Sequence, residues 1–139
     1  MNEQKIHTGV AFIFLRNDGK LLLQLRDSKD TKFPNQWCFP GGRKDGGESH
    51  VETVIREAHE EYEIALSPED CTLLHRYDVL DIVRDNHVFV CRVGNQKAIF
   101  HEGADMKWVD VQQVFNIQLG FEQENFLPAL VTHLRKVGV

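Results

Sequence analysis

Three glutamates, Glu57, Glu60 and Glu61, stand close together after a glycine-rich segment at residues 40–47. On a helix their i, i+3 and i+4 spacing places the carboxylates on one flank, where they repel one another unless a cation lies among them. Carboxylate oxygens suit Mg²⁺ or Mn²⁺, and glycines let backbone groups approach a ligand closely. The combination favours metal-assisted attack of water on a chain of phosphates. A solvated acidic helix face beside an ordinary loop is the alternative, since runs of charge usually lie on the surface.

The helix that would position these acids is predicted over residues 49–63. Ser49 with Glu52 three residues later is a capping box, which specifies where the helix begins. Apolar side chains recur at the spacing of a core-facing stripe: Val51, Val54, Ile55, Ala58 and Tyr62. The stripe would hold the helix against a sheet.

β-Rich apolar runs surround this helix and predict a sheet. Strands are predicted at residues 8–16, 20–26, 37–40, 72–84, 87–93 and 106–109. An Asp-Gly pair predicts a hairpin turn between the first two strands, and Asp85-Asn86 predicts the turn of a second hairpin. A last amphipathic helix is predicted over 122–136, with Pro128 in its first turn or at a kink. The pattern predicts an α/β fold, a single α/β/α sandwich domain over residues 1–139 with a mixed β-sheet.

Composition and charge narrow the class of protein. The 139 residues are 42% hydrophobic and 27% charged, which is typical of a globular domain and not of a disordered chain. A formal net charge of −5 argues against a binder of nucleic-acid polymers, which needs a basic surface. The sequence shows neither an apolar signal region at its N-terminus nor an apolar run approaching the roughly 20 residues of a membrane span. Three scattered cysteines indicate a reduced compartment, and we expect a cytoplasmic protein.

The central stretch resembles the signature of the Nudix hydrolases, G-x5-E-x7-R-E-U-x-E-E-x-G-U, in which U is a bulky aliphatic residue. Gly42, Glu48, Arg56 and the three glutamates occupy its fixed positions, and the preceding WCFPGG resembles the W-x-F/L-P-G-G lead-in. Two positions differ from the signature. Ala58 stands where a larger aliphatic is common, and Glu63 replaces the glycine that permits a left-handed helix end. A residue other than glycine at such an end costs about 1 kcal/mol.

The resemblance implies a role for each matching residue. Its metal ligands would be three carboxylates and one backbone carbonyl: Glu57, Glu60, Glu61 and Gly41. Glu57 and Glu61 would be the main ligands, and Glu60 would act directly or through water. Arg56 and Glu48 would form an ion pair that holds the loop against the helix, the alternative being a surface pair that contributes little.

Three further residues concern the general base and the substrate. Glu102, on a loop six residues before Trp108, resembles the catalytic glutamate of the branch that acts on oxidised nucleotides, and an ordinary polar loop residue is the alternative. Arg26, at the end of the second strand, could meet a phosphate, and a salt bridge with a carboxylate of the signature is equally plausible. Asn125 lies about where that branch carries a base-reading asparagine, although a residue that simply faces water is the better-supported interpretation.

These implications favour a Mg²⁺-dependent pyrophosphohydrolase, with Mn²⁺ as a substitute ion. Its substrate would be a nucleoside diphosphate derivative, in the first place a nucleoside triphosphate, oxidised or not, cleaved to the monophosphate and pyrophosphate. The partner would be this small nucleotide, and the chain would be a monomer or a homodimer. Alternatives on the same fold are a catalytically silent nucleotide-sensing domain, a sugar-nucleotide hydrolase and an isoprenoid diphosphate isomerase. The isomerase would need a catalytic cysteine, and Cys38 is better explained as strand packing.

Overall fold

The structure, a computed structural model, describes residues 6–101 and 103–139. Within them the strands are β1 (His7–Arg16), β2 (Leu21–Leu25), β3 (Trp37–Cys38), β4 (Gly41–Arg43), β5 (Cys71–Val79), β6 (Val83–Gly94) and β7 (Asp105–Val109). The α-helices are α1 (His50–Tyr62), α2 (Val111–Val114) and α3 (Leu127–Lys136). None of the helices in these residues is long and apolar enough to cross a membrane.

The seven strands of the described residues form one mixed sheet in the order β3-β2-β1-β6-β5. Strand β4 also pairs with β1, and β7 pairs with β2. Strand β1 runs parallel to β6 and antiparallel to β2 and β4. Its central place explains its sequence, because a strand buried on both faces is apolar at consecutive positions.

Two hydrophobic cores lie on opposite faces of this sheet. Since successive side chains of a strand point to opposite faces, β1 contributes alternate residues to each core. One core packs against α3 and includes Ala11, Ile13, Leu15, Leu127, Leu130 and Leu134. The other packs against α1 and includes Val10, Phe12, Phe14, Val54, Ala58 and Tyr62. The predicted α/β/α arrangement around a mixed sheet is confirmed.

The second hairpin turns at a different place from the predicted one. The turn between β5 and β6 lies at residues 80–82, and Asp85-Asn86 lies inside β6. Asp85 has φ of 53° at a shift in the β5–β6 register, which identifies a β-bulge. Aspartate and asparagine adopt left-handed conformations readily in turns and in bulges alike, so the local signal did not distinguish the two.

The C-terminal helix is shorter than the predicted span of 122–136. Residues Gln123–Phe126 form a 3₁₀ turn, and α3 begins only at Leu127 with Pro128 in its first turn. Proline lacks the backbone N–H of an α-helical hydrogen bond and its ring would clash with the preceding turn, so the α-helix cannot extend back through it. Two short elements were missed: β4, whose glycines carry no apolar pattern, and the single turn α2.

Helix α1 begins where the capping box predicts and ends in an unusual residue. Ser49 Oγ accepts from the Glu52 amide at 3.2 Å, and the Glu52 carboxylate accepts from the Ser49 amide at 2.8 Å. The helix ends at Glu63, which takes the left-handed conformation itself, with φ of 54°. Its Oε2 lies 2.6 Å from Nε2 of His101, and both side chains are half exposed. The chain therefore makes the left-handed helix end of the signature without its glycine.

The two substitutions Glu63→Gly and Glu63→Ala separate backbone strain from the His101 contact. Both remove that contact, but only alanine keeps a Cβ in the left-handed conformation. We expect Glu63→Gly to exceed Glu63→Ala in free energy of unfolding by about 1 kcal/mol, measured by urea denaturation. Equal stability of the two variants would contradict the left-handed helix end.

Candidate active site

The glycine-rich segment packs directly against the acidic flank of α1. Strand β4 brings Gly42 beside Glu57, where a Cβ on the glycine would lie only 2.6 Å from Cγ and Cδ of the glutamate. Carbon atoms in good contact lie about 3.5–4.0 Å apart, so only glycine leaves room for this side chain. A Cβ on Gly41 would lie 2.7 Å from the carbonyl oxygen of Val10. Gly42 therefore lets Glu57 pack against β4, and Gly41 lets β4 approach β1 closely.

The guanidinium of Arg56 ties the glycine-rich segment to the helix. Its Nε and Nη2 donate to the two oxygens of Glu48 at 2.7 and 3.1 Å. Nη2 also donates to the Arg43 carbonyl at 3.2 Å, while Nη1 donates to Glu57 at 2.9 Å and to Glu60 at 3.3 Å. The Arg56 and Glu48 side chains are 27% and 21% exposed. The implied ion pair is thus present as part of a partly buried network, and the alternative of an isolated surface pair does not apply.

These contacts control the ionisation of Glu48. The hydrogen bonds from Arg56 lower the pKa of Glu48 from its ordinary 4.5 to about 2. The hydroxyl of Thr53, which is buried in α1, also donates to Glu48, at 3.0 Å. A lowered pKa means that the folded state favours the carboxylate more than the unfolded state does. The ionised Glu48 therefore stabilises the fold above about pH 4.5, and this contribution is lost as the pH falls towards 2.

The stability of a Glu48→Gln variant should therefore fall less on acidification than the stability of the wild type. The stability difference between wild type and Glu48→Gln is expected to be constant above about pH 5 and to shrink as the pH falls through the window from 4.5 to 2. Urea denaturation across that range measures it, with Glu69→Gln, on an exposed turn, as the control. A difference that stays constant through the window would contradict the link between Arg56 and Glu48.

The three helix glutamates and Gly41 offer a set of oxygen donors for a metal. Glu57 and Glu60 meet at one nitrogen of Arg56, and Glu61 lines a cavity together with Gly41. Carboxylate and carbonyl oxygens are the donors preferred by Mg²⁺ and Mn²⁺. The Glu57 side chain packs closely against Gly42, which holds one of these donors in place. The residues present therefore fit a hard divalent ion.

Two adjoining cavities open beside these donors. The acidic cavity, of about 160 Å³, is lined by Gln24, Leu25, Arg26, Asp27, Asp30, Gly41, Glu61, Phe100 and Gly103. The apolar cavity, of about 240 Å³, is lined by His7, Val10, Ala11, Gln24, Arg26, Lys32, Cys38, Phe39, Gly41, Gly42, Arg43, Ile82, Val83, Asn86, Phe121 and Gln123. The two share Gln24, Arg26 and Gly41. Together they reach the roughly 300–1,000 Å³ that is usual for small-molecule sites.

Arg26 stands where the two cavities meet. Its Nε donates to the Lys32 carbonyl at 2.9 Å, and its guanidinium lies 3.6 Å from Asp30 and 4.8 Å from the Phe121 ring centre. The acidic neighbour of Arg26 is therefore Asp30. The interpretation in which Arg26 pairs with a carboxylate of the signature is not supported by this contact. The placement keeps a fixed positive charge between the two cavities.

Asn125 is not brought to either cavity. It is exposed on the 3₁₀ turn that precedes α3, whereas Gln123 on the same turn is 3% exposed and lines the apolar cavity. Gln123 Oε1 accepts from the Phe39 amide at 2.7 Å, and its Nε2 donates to the Phe39 carbonyl at 3.3 Å. Asn125 thus faces water, as the better-supported of the two sequence interpretations has it, and Gln123 is the residue of this turn that lines a cavity. Periodicity placed this segment on an α-helix, and the 3₁₀ geometry turns a different residue inward.

His7 is a cavity residue that the sequence did not indicate. Among the described residues, its Nδ1 is the one buried side-chain nitrogen or oxygen without a hydrogen-bond partner. Burial, with Arg43 and Lys32 nearby, lowers the pKa of His7, so the ring is neutral at neutral pH. His7, Asn86 and Gln123 come from β1, β6 and the C-terminal turn, so spacing along the chain could not have grouped them.

Glu102, the predicted general base, lies outside the described residues. Its neighbours are placed at the acidic cavity: the His101 amide donates to the Glu61 carbonyl at 2.9 Å, and Gly103 lines the cavity with Glu61. The Ala104 amide donates to the Leu25 carbonyl at 3.0 Å. The loop on both sides of Glu102 is therefore attached to the end of α1 and to β2.

The chain matches known proteins over most of its length. A family model described as a NUDIX domain matches residues 5–130. A Bacillus subtilis protein named as a candidate 8-oxo-dGTP diphosphatase is 32% identical over 108 residues, which cover 75% of this chain and 67% of the relative. An m7GpppN-mRNA hydrolase from Danio rerio is 37% identical over 65 residues, but these span 47% of this chain and only 22% of that relative.

A solved structure shares the fold. The MutT protein from Methanosarcina mazei Go1 superposes with a TM-score of 0.74 over 96% of this chain and 98% of its own, at 20% sequence identity. At that identity the likeness concerns the arrangement of strands and helices. It agrees with the mixed sheet between α1 and α3 described above.

Proposed function

This chain belongs to the Nudix hydrolase family, and we propose that it cleaves nucleoside triphosphates, oxidised or not, to the monophosphate and pyrophosphate. The observation that carries the proposal is the close packing of Glu57 against Gly42, beside cavities lined by Gly41, Glu61 and Arg26. It puts oxygen donors for a cation next to a positive charge and an apolar pocket. A phosphate chain that carries a nucleoside needs those three environments side by side.

Glu57, Glu60, Glu61 and the Gly41 carbonyl would hold Mg²⁺, or Mn²⁺ in its place. When bound, the ion neutralises charge on phosphate oxygens and makes water a stronger nucleophile. The chain's own part is to orient the donors. Arg56 contacts one oxygen of Glu57 and one of Glu60, which fixes both side chains and offsets their mutual repulsion. Glu48 in turn fixes Arg56.

Three basic side chains would receive the phosphates. Arg26, Lys32 and Arg43 line the apolar cavity, and Arg26 also faces the acidic one. A guanidinium binds phosphate oxygens through parallel hydrogen bonds, and Arg26 is already held by the Lys32 carbonyl and by the Phe121 ring. A phosphate chain lying past Arg26 would connect the metal donors to the apolar cavity.

The apolar cavity would hold the nucleoside. Phe39, Val83 and Phe121 provide apolar walls, and His7, Asn86 and Gln123 provide hydrogen-bonding groups. The partnerless Nδ1 of His7 is a group that a base could satisfy, since an unpaired buried polar atom costs about 1–3 kcal/mol. The Bacillus subtilis relative supports a modified purine as the base, and this part of the proposal rests on its name.

We propose Glu102 as the general base, because its sequence neighbours His101 and Gly103 lie at the acidic cavity and the end of α1. A Glu102→Gln variant is expected to lower kcat by roughly 10²–10⁴-fold with little change in KM, because a general base acts in the chemical step. Steady-state kinetics in Mg²⁺ measure this, with Glu69→Gln as the control. A change in kcat below about tenfold would assign the base to another residue.

A substrate panel tests the proposal as a whole. The chain is incubated with Mg²⁺ and nucleoside triphosphates, 8-oxo-dGTP, sugar nucleotides, dinucleoside polyphosphates and a capped dinucleotide, and release of pyrophosphate or phosphate is measured. Highest kcat/KM on a triphosphate supports the proposal. Turnover restricted to sugar nucleotides or capped dinucleotides would replace it with that substrate class. Absence of turnover throughout, with nucleotide binding unchanged in Glu61→Gln, would favour a nucleotide-sensing domain.

Other features agree with this assignment. A small nucleotide is the expected partner, and we propose action in the cytoplasm as a monomer or a homodimer.

Cys38, Cys71 and Cys91 are free thiols, and burial of Cys38 in β3 raises its pKa to about 11. Such a thiol is a poor acid or nucleophile, which argues against the isomerase alternative.

A further inference from the structure

Two histidines and an aspartate meet at the N-terminal end of α1, and none of them belongs to the set of three helix glutamates. They are His50, the first residue of α1, and Asp85 and His87 of β6. His87 Nε2 lies 3.1 Å from Asp85 Oδ1, and His50 Nε2 lies 3.8 Å from Asp85 Oδ2. One ligand atom from each residue can be chosen so that all three lie within 4.8 Å of one another. His50 Nε2 also lies 3.3 Å from the backbone carbonyl oxygen of Asp85, which is its hydrogen-bond partner in the free protein. Both imidazoles thus present Nε2 to Asp85, His87 to the carboxylate and His50 to the carbonyl with the carboxylate close by.

The backbone sets this arrangement. The capping box of Ser49 fixes the start of α1 and with it His50. Asp85 sits in the β-bulge, and its amide donates to Asp78 at 2.8 Å. Since residues two apart on a strand share a face, His87 lies beside Asp85. The start of α1 and the bulge in β6 therefore bring the three side chains together.

The two imidazoles are stacked, with ring centres 3.4 Å apart and planes at 7°. Two protonated rings at that distance would repel strongly, and burial together with His87 lowers the pKa of His50. Neutral imidazole is the form that donates a lone pair to a metal. The His50 and His87 side chains are 18% and 15% exposed and Asp85 is 42% exposed, so an ion has access from the carboxylate side.

We propose that His50, Asp85 and His87 form a second metal site, selective for a borderline divalent transition ion such as Zn²⁺. Two imidazole nitrogens and one carboxylate oxygen are a donor set that suits Zn²⁺ and leaves a coordination position open to water. The helix glutamates, with oxygen donors only, suit Mg²⁺ instead. Binding would require the two stacked rings to rotate out of their parallel arrangement, because the nitrogen lone pairs lie in the ring planes. The ion would also replace the hydrogen bonds that Nε2 of each ring now makes to Asp85.

In the free protein, Arg76 forms an ion pair with the Asp85 carboxylate. Its guanidinium donates to Asp85 Oδ1 at 2.9 Å, and its side chain is 62% exposed. An exposed arginine can swing into solvent at little cost when a divalent cation takes its place. The bound ion would then join the first turn of α1 to β6, and so secure the helix that carries Glu57.

The test uses the chain without a histidine tag, stripped of metal and kept in excess Mg²⁺. Zn²⁺ binding is measured by calorimetry, and Co²⁺ serves as a spectroscopic probe whose visible absorption distinguishes tetrahedral nitrogen coordination from octahedral oxygen coordination. We expect a single Zn²⁺ per chain in wild type and in a Glu57→Gln/Glu61→Gln variant. His87→Gln and, independently, His50→Gln should weaken binding by about tenfold or more. Arg76→Gln should strengthen it.

The outcomes separate this site from the helix glutamates and from the proposed activity. Both histidine variants are checked for folding by thermal unfolding in EDTA, where their midpoints should stay near that of wild type. Zn²⁺ that raises the midpoint of wild type and not of the histidine variants supports the site. Zn²⁺ affinity that is unchanged in both histidine variants, or that is lost in the glutamate variant alone, would overturn it.

Discussion

Replacing Glu57 by glutamine is expected to lower kcat/KM with Mg²⁺ by roughly 10³-fold while leaving the fold intact. Glutamine has the shape of glutamate, so the close packing against Gly42 and the hydrogen bond from Arg56 can both persist. What is lost is one negative charge on a donor that is only 12% exposed, where no solvent group can replace it. Steady-state kinetics on the best substrate measure the fall in kcat/KM, and thermal unfolding of the same preparation shows whether the fold is intact.

Glu69→Gln makes the same chemical change on an exposed turn and is the matched control. Its kcat/KM should equal that of wild type within about twofold. An affinity for Mg²⁺ that falls in Glu57→Gln and stays unchanged in the control would assign the loss to the metal donors. Glu57→Gln with more than about a tenth of wild-type activity would contradict the role given to this residue.

Replacing Arg56 by glutamine is expected to lower both stability and activity. The change leaves Glu48, Glu57 and Glu60 without the charge that offsets them, and Glu48 is only 21% exposed. Removing one partner of a fully buried ion pair costs several kcal/mol, whereas a surface pair contributes about 0–1 kcal/mol. This network is partly exposed, so we expect a loss of stability between these two limits. We expect kcat/KM to fall by about tenfold or more, since Glu57 also loses a contact that orients it.

Arg56→Lys and Arg135→Gln complete this experiment. Lysine keeps the charge but cannot donate to Glu48, Glu57 and the Arg43 carbonyl at once, so it should recover only part of the stability. Arg135→Gln, on the exposed face of α3, should change the free energy of unfolding by less than about 0.5 kcal/mol. If Arg56→Gln unfolded at the same urea concentration as Arg135→Gln, the network would have no structural role.

The elements whose apolar residues recur at a regular period could be predicted from the sequence. Apolar positions in 8–16 and 49–63 follow the periods of a buried strand and an amphipathic helix, and β1 and α1 form there. The capping box of Ser49 and Glu52 marked the helix start because it acts over three residues only. The glycines and glutamates of the candidate active site lie in one continuous segment, residues 41–61, so one motif contained them.

The parts that depend on distant contacts could not be predicted. Gln123 faces inward because it bonds to the backbone of Phe39, which is 84 residues away. The Asp85 bulge follows from how β6 pairs with β5, and its residues favour a turn equally well when read alone. His7 and Asn86 reach the apolar cavity only through the packing of β1 against β6. The sequence therefore indicates the reaction more clearly than the substrate.

The measurement that tests the proposed reaction most directly is phosphorus-31 NMR of a nucleoside triphosphate during turnover. With Mg²⁺ we predict equal amounts of nucleoside monophosphate and pyrophosphate, no orthophosphate, and no reaction once EDTA removes the metal. Glu57→Gln should give the same products at a greatly reduced rate. Nucleoside diphosphate with orthophosphate as products, or an unchanged rate in EDTA, would contradict a metal-dependent pyrophosphohydrolase built on the three glutamates of α1.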